Sequence, residues 1–204
     1  MSQRSQIFVR YQDEDGNYKL IARDYDWNFL ERMISRCRYT MEWLKENVKY
    51  FPHYPEKIIR ILDTNFDMKD CIISNDLLKE YQEFAEDHED NYSGDLNDYL
   101  FYEVDNDDGK LLIDIDRKGN IKYAFLDYEN EKIMSGFSYV IWDSIYQGEN
   151  IKEEIINICN QNIIKISEMA TLMTQREVEM FMECDYSKSL PEQERNTLDD
   201  EIER

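Results

Sequence analysis

Apolar and polar positions change period several times along the chain, and each change marks an expected element. From Gln6 to Gln12 and from Tyr18 to Tyr25, β-branched and aromatic residues predominate, and Asp13-Glu14-Asp15-Gly16-Asn17 between them carries turn chemistry. That combination predicts a β-hairpin. After Asp26 or Asn28, either able to cap a helix, Phe29, Met33, Cys37, Met41, Leu44 and Val48 recur every three or four residues. The spacing predicts a helix of about five turns. Phe51-Pro52-His53-Tyr54-Pro55 ends it, and Pro55 suits the first turn of a second helix reaching about Asn65. Ser74, Asn75 or Asp76 can cap a third, through Leu77, Leu78, Tyr81, Phe84 and Ala85.

Beyond Glu86 the pattern turns strand-like, over Tyr99 to Val104, Lys110 to Asp116, Asn120 to Asp127 and a segment around Phe137 to Trp142. Asp107-Asp108-Gly109 and Arg117-Lys118-Gly119-Asn120 are hairpin-type separators, so these strands are expected to be antiparallel neighbours. Leu111, Ile113 and Ile115 form an apolar face, and Leu112, Asp114 and Asp116 a face expected to be wet. Ile151, Ile155, Ile158, Ile163 and Ile166 describe a long helix, and Thr174 with Glu177 is a capping-box start for another, to about Cys184. The order is ββ-ααα-ββββ-αα, an α+β domain with helices packed on a mainly antiparallel sheet. Residues 1–186 make one domain, subdivided if at all near 86–98, and 187–204 form a polar C-terminal tail.

Charge changes the picture more than composition does. Aromatics make up 13% of the 204 residues and apolar residues 42%, enough for a folded core. The formal charge is −21, which argues against binding a nucleic-acid backbone or an anionic membrane directly. Residues 1–60 carry 11 Lys/Arg against 9 Asp/Glu, whereas residues 61–204 carry 13 against 36. Between Lys79 and Lys110 stand twelve acids and no Lys or Arg: Glu80, Glu83, Glu86, Asp87, Glu89, Asp90, Asp95, Asp98, Glu103, Asp105, Asp107 and Asp108. Their mutual repulsion opposes compaction unless something cationic offsets it. Tyr81, Phe84, Tyr92, Tyr99, Phe101 and Tyr102 among them point to an ordered surface rather than a disordered acidic tail. These twelve are the candidate partner-binding residues. The ordinary alternative is a set of acidic helices and loops kept soluble by charge.

The opposite pole holds Arg4, Arg10, Arg23, Arg32, Arg36 and Arg38. Arg32, Arg36 and Arg38 are candidate anion ligands, although pairing with the protein's own acidic segment is the simpler expectation. Tyr25, Trp27, Tyr39 and Trp43 nearby read as helix–sheet packing rather than a base-stacking platform. Catalytic chemistry is thinly represented. His53 sits between prolines, as a turn residue does, and His88 lies within Asp87 to Asp90, where a solvated imidazole is a simpler expectation than a shared divalent ion. Aligning Gly16, Gly109 or Gly119 with an EF-hand glycine puts Ala22, Ile115 or Phe125 at the bidentate acid's position. No P-loop or dinucleotide fingerprint occurs. Cys37, Cys71, Cys159 and Cys184 are too scattered for a zinc site or disulfide framework and read as buried thiols. No catalytic residue, metal site or cofactor is therefore assigned. No secretory signal or membrane span is seen, and alanine occurs only at 22, 85, 124 and 170 amid abundant Ile, Asn, Lys, Asp and Glu. A cytoplasmic protein of an AT-rich bacterium or its phage is the expectation.

In size, acidity, codon-driven composition and lack of catalytic motif the chain resembles the small inhibitor proteins of phages and mobile elements, including the anti-CRISPR proteins. It equally resembles the immunity proteins that neutralise nuclease toxins. Both resemblances imply a non-enzymatic protein that binds a basic, nucleic-acid-handling partner by acidic mimicry. The layer order separately resembles the N-terminal-nucleophile hydrolases, which implies Ser2 as a nucleophile activated by its own amine once Met1 is removed. A small-ligand or nucleotide site on the N-terminal hairpin and Arg-rich helix is the related enzyme-like alternative. A structural role for the Ile-rich helix at 151–166 is the third, though such a stripe is ordinarily core.

Overall fold

A computed structural model describes residues 4–47, 53, 55–63, 74–87, 94–147 and 151–191. Strands β1 (Arg4–Gln12) and β2 (Tyr18–Asp26) form the expected hairpin. Its turn closes where Asp13 accepts from the Asn17 backbone at 2.8 Å and Gly16 takes φ +89°. Helices α1 (Glu31–Asn47) and α2 (Pro55–Leu62) follow, then a short strand β3 (Ser74–Asp76) and α3 (Leu77–Asp87). Asp76 both ends β3 and caps α3, accepting from the Leu78 backbone at 3.1 Å. After α4 (Leu96–Asp98) and a π-helical turn (Tyr99–Glu103) come β4 (Lys110–Ile115), β5 (Ile121–Leu126) and β6 (Ile133–Met134). Helices α5 (Gly136–Gln147) and α6 (Glu153–Met169), strand β7 (Ala170–Leu172) and α7 (Gln175–Met182) complete the elements, with a 3-10 turn at Ser187–Ser189.

The fold is α+β. Among the described residues seven strands run in the order β3-β2-β1-β4-β5-β6, with β7 also on β5. The pairings are antiparallel except β1 with β4 and β5 with β7, which are parallel. The β1/β4 pairing places the two hairpins side by side in one sheet, with β4 on the edge of β1 that β2 leaves open. Helices cover both faces. On one, α1, α2, α5 and α6 pack over Ile7, Val9, Leu111, Ile113 and Phe125; on the other, α3, the π-turn and α7 pack over Phe8, Ala22, Leu112 and Ala124. The face of β4 expected to be wet is covered at Leu112, which is fully buried, and half-covered at Asp114, held by a bidentate ion pair with Arg10 at 2.9 and 2.8 Å, whereas Asp116 is exposed as expected. One sheet between two helical layers also differs from the α-β-β-α layer order of the N-terminal-nucleophile hydrolases, and Ser2 lies outside the described residues.

Two segments expected as strands are helical. Tyr99 to Val104 continues a helix started by Asp95, whose carboxylate accepts from the Asn97 and Asp98 backbones. Leu96, Leu100 and Val104 then pack on the core at a spacing of four. Phe137 to Trp142 lies in α5, where Tyr139 and Asp143 are buried and Phe137, Ile141 and Ile145 exposed, again at a spacing of four. The capping box at Thr174 and Glu177 is present as expected. Residues 187–190 are docked rather than loose, since Ser189 Oγ accepts from the Leu20 backbone at 2.8 Å and Lys188 reaches Asn17 at 2.6 Å. Residues 192–204 of the expected tail are outside the described residues.

Asn28 does not cap α1. It is fully buried, donates to Ser5 Oγ at 3.0 Å and accepts from Arg36 Nε at 2.7 Å. The Leu30 amide before α1 instead finds Asp143 of α5 at 2.9 Å. Asn28→Ala leaves Arg36 Nε and Ser5 without that partner in a dry site and lowers stability by about 2 kcal/mol. A urea titration checks this as a lower midpoint with unchanged slope.

Candidate functional site

The two sheet faces differ in how far their apolar covering extends. On the α3/α7 side the apolar row Ala22, Phe8, Leu112, Ala124 is followed, two residues along each strand, by Asp24 on β2, Gln6 on β1 and Lys110 on β4. Asn75 on β3 pairs with Asp24 from the other side. Asp24 is 6% exposed, and its Oδ1 has no hydrogen-bond partner among the described residues. Its neighbours across the strands, Gln6 and Asn75, are neutral. Lys110 is two strands away, roughly 10 Å at ordinary strand spacing, too far for an ion pair.

Above Asp24 the sheet end, α3 and the π-turn enclose a cleft of about 420 Å³. It is lined by Arg4, Asp24, Asp26 and Asn75 from the strands, Glu80 and Phe84 from α3, and Tyr99, Glu103, Val104 and Asp105 from the π-turn and its exit. The extra residue per turn of a π-helix sets Tyr99 and Glu103 at successive levels of one wall, a geometry common at functional sites. Five of the lining residues are acids and one, Arg4, is cationic. Arg4 Nε stands 3.6 Å from Asp26 Oδ1, longer than a hydrogen bond, so the pair neutralises the cleft only in part.

The electrostatics follow from that inventory. Burial, then repulsion from Glu80, pushes the Asp24 carboxyl up to about 7; Asp26 and Asp105 add to the rise and Arg4 opposes it. Burial also raises Glu80, opposed by Arg4 and assisted by Asp76 and Glu83. Burial, with the charges of Glu80, Asp24 and Glu103, raises the Tyr99 phenol. A second cleft, about 440 Å³, lies beyond Tyr81 and adds Asp95, Glu183 and Asp185. Tyr81 and Tyr99, 5.3 Å apart, form the wall between the two.

The twelve acids expected as one surface are divided by the fold. Glu80, Glu103 and Asp105 line the first cleft and Asp95 the second. Glu83, Glu86, Asp87 and Asp98 are exposed beside them, and Glu83 is 3.5 Å from Lys79 in a solvated pair. Asp107 is half-buried, and Asp108 is fully buried and so lies off the surface. Glu89, Asp90 and His88 are outside the described residues. Asp24, Asp26, Glu183 and Asp185 join the site without having been expected. Asp24 and Asp26 were discoverable, because they extend the alternation Leu20, Ala22 on β2 as a polar end to an apolar face.

Of the arginines expected to grip an anion or to neutralise the acidic run, Arg4 acts on Glu80 of that run, and the others make the following contacts. Arg36 is 3% exposed, bonds Asn28 and the Leu62 carbonyl, and lies 4.7 Å over the Tyr25 ring. Arg38 forms an ion pair with Glu42 at 2.7 Å. Arg32 donates to the Trp27 carbonyl at 2.6 Å. Arg23 pairs with Asp63 and Asp76, both outside the run. Tyr25 is buried and Trp43 packs on the core, whereas Trp27 is 45% exposed. His53 is exposed, its Nδ1 2.6 Å from Glu14. Cys37 and Cys159 are buried, Cys184 is half-buried, and Cys71 is outside the described residues. Among the described residues no three His, Cys, Asp or Glu side chains are placed to hold a metal ion, and no helix is long and apolar enough to cross a membrane. No protein-family model, curated protein or solved structure matches the chain.

Proposed function

We propose that the protein is a non-enzymatic inhibitor that binds a basic, nucleic-acid-handling protein through its carboxylate-rich face, in the manner of a nucleic-acid mimic. The observation that carries this is the convergence of Asp24, Asp26, Glu80, Glu103 and Asp105 on one cleft with Arg4 as the one lining cation among the described residues. Like charges gathered around buried Asp24 cost stability, and a surface that served solubility alone would spread them. Helix α3 adds Glu83, Glu86 and Asp87, exposed beside the cleft.

A bacterial cytoplasm, with the inhibitor encoded by a phage or mobile element, is the setting in which such a decoy acts; a nuclease toxin is the alternative target. The test is capture of host proteins on the immobilised chain at about 50 mM and about 500 mM salt, followed by displacement of labelled DNA or RNA from whatever is retained. The expected result is a basic nucleic-acid-binding protein held only at low salt and stripped of its nucleic acid by the chain. Retention of neutral proteins unaffected by salt, or of none, overturns the proposal.

A further inference from the structure

We propose that the cleft over Asp24 is an anchor pocket for one arginine side chain of the basic partner, with the guanidinium seated among the Asp24, Glu80 and Glu103 carboxylates and against the rings of Phe84 and Tyr99. The assignment deepens the acidic-face function and rests on it. Two independent observations carry it. The first is the cleft itself, whose acids come from β2, α3 and the π-turn rather than from a single acidic stretch. The second is Asp24, more than nine-tenths buried, which lines the cleft and whose carboxylate has an Oδ1 without a hydrogen-bond partner among the described residues. Such a group is expensive to keep, and a donor arriving from outside repays the cost.

The chemistry selects the ligand. The acids surround a space of about 420 Å³ without forming a three-ligand metal cluster. A compact ion cannot touch carboxylates spread in that way, whereas a guanidinium presents five donors in a planar fork. Phe84 and Tyr99 stand with ring centroids 5.9 Å apart at 30°. Their exposed surface offers the aromatic contact that arginine accepts better than lysine. An arginine placed there can donate to the Asp24 carboxylate and leave donors for Glu80 or Glu103.

Binding is then linked to a proton. The charges facing Asp24 are Arg4 from β1, Asp26 from β2, Glu80 from α3, and Glu103 and Asp105 from the π-turn and its exit, with Asp76 and Glu83 acting on Glu80. Free Asp24 is half-protonated near pH 7, and arginine requires it ionised. Affinity therefore rises about tenfold from pH 6 to pH 8 as the proton no longer has to be expelled.

The experiment titrates the full chain with acetyl-Gly-Arg-Gly-amide, following backbone amide shifts and the Asp24 carboxyl carbon by NMR. The Gly-Lys-Gly and Gly-citrulline-Gly peptides serve as comparisons. The expected result is shifts centred on Asp24, Glu80 and Tyr99, with arginine stronger than lysine, citrulline silent, and the Asp24 titration midpoint displaced downward on binding. Asp24→Asn loses about tenfold in affinity together with the pH dependence, and Glu80→Gln supplies a second variant with a smaller loss. Arginine and citrulline binding alike, or Asp24→Asn binding as tightly as the parent, overturns the pocket. If the peptide fails while salt-sensitive partner capture persists, the pocket is rejected and the acidic-face function stands; failed capture rejects that function whatever the peptide does.

Discussion

Asp24→Asn is expected to make the free protein more stable at pH 8, by on the order of 2–3 kcal/mol. The sign comes from the proton balance. In the unfolded chain an aspartate titrates near 3.8, whereas in the folded chain Asp24 titrates at about 7. Between those values the folded state holds a proton that the unfolded state has lost, so stability falls as pH rises through the window. At pH 8 the folded chain carries the full cost of a buried carboxylate, part of which asparagine avoids while keeping the shape. The buried amide still lacks complete hydrogen bonding, which is why the gain is smaller than the pKa difference implies. Glu80 is raised in the same direction, so a weaker slope survives in the variant. Urea midpoints at pH 5 and pH 8 measure both effects: the parent loses stability over that interval and Asp24→Asn loses much less. A variant destabilised at both pH values would mean that Asp24 is a structural acceptor rather than a poised ligand.

The second large effect concerns the rim. Glu83→Lys, Glu86→Lys and Asp87→Lys together reverse three charges on the exposed side of α3 and are expected to weaken partner binding by about 100-fold or more at low salt. Folding gives the opposite expectation. The Lys79–Glu83 ion pair that is lost is solvent-exposed and worth little. Replacing three negative charges on an acidic face also lessens its self-repulsion. The triple variant therefore melts at or slightly above the parent's temperature while losing its partner, a separation that calorimetry and binding read side by side.

The fold was legible where a period repeated without interruption. The β1/β2 hairpin, α1 and the Thr174 capping box each carried local signals strong enough to set their own structure. Residues 99–104 and 137–142 were misleading because aromatic and β-branched residues have high strand propensity, while short apolar runs do not separate strand from helix. Buried Tyr139 and Asp143 and capping Asp95 decided them as helices through partners remote in sequence or just upstream. The parallel β1/β4 pairing and strands β3 and β7, three residues each, had no local signature at all. The acidic site was legible as a run but not as a shape. Glu80, Glu103 and Asp105 were found from charge, whereas Asp24 and Asp26 were hidden inside a strand some fifty residues earlier, and Asp108 was buried by the turn at Gly109. There φ is +81° and a Cβ would lie 2.3 Å from the Leu126 carbonyl oxygen, so the turn is fixed by close backbone approach rather than by charge.

The most direct measurement is the affinity of the intact chain for its captured basic partner as salt is raised. If the carboxylates stand in for phosphates, log affinity falls linearly and steeply with log salt, and the α3 triple-lysine variant shows a distinctly shallower slope. An affinity that stays level with salt, and is the same for parent and variant, would contradict the account.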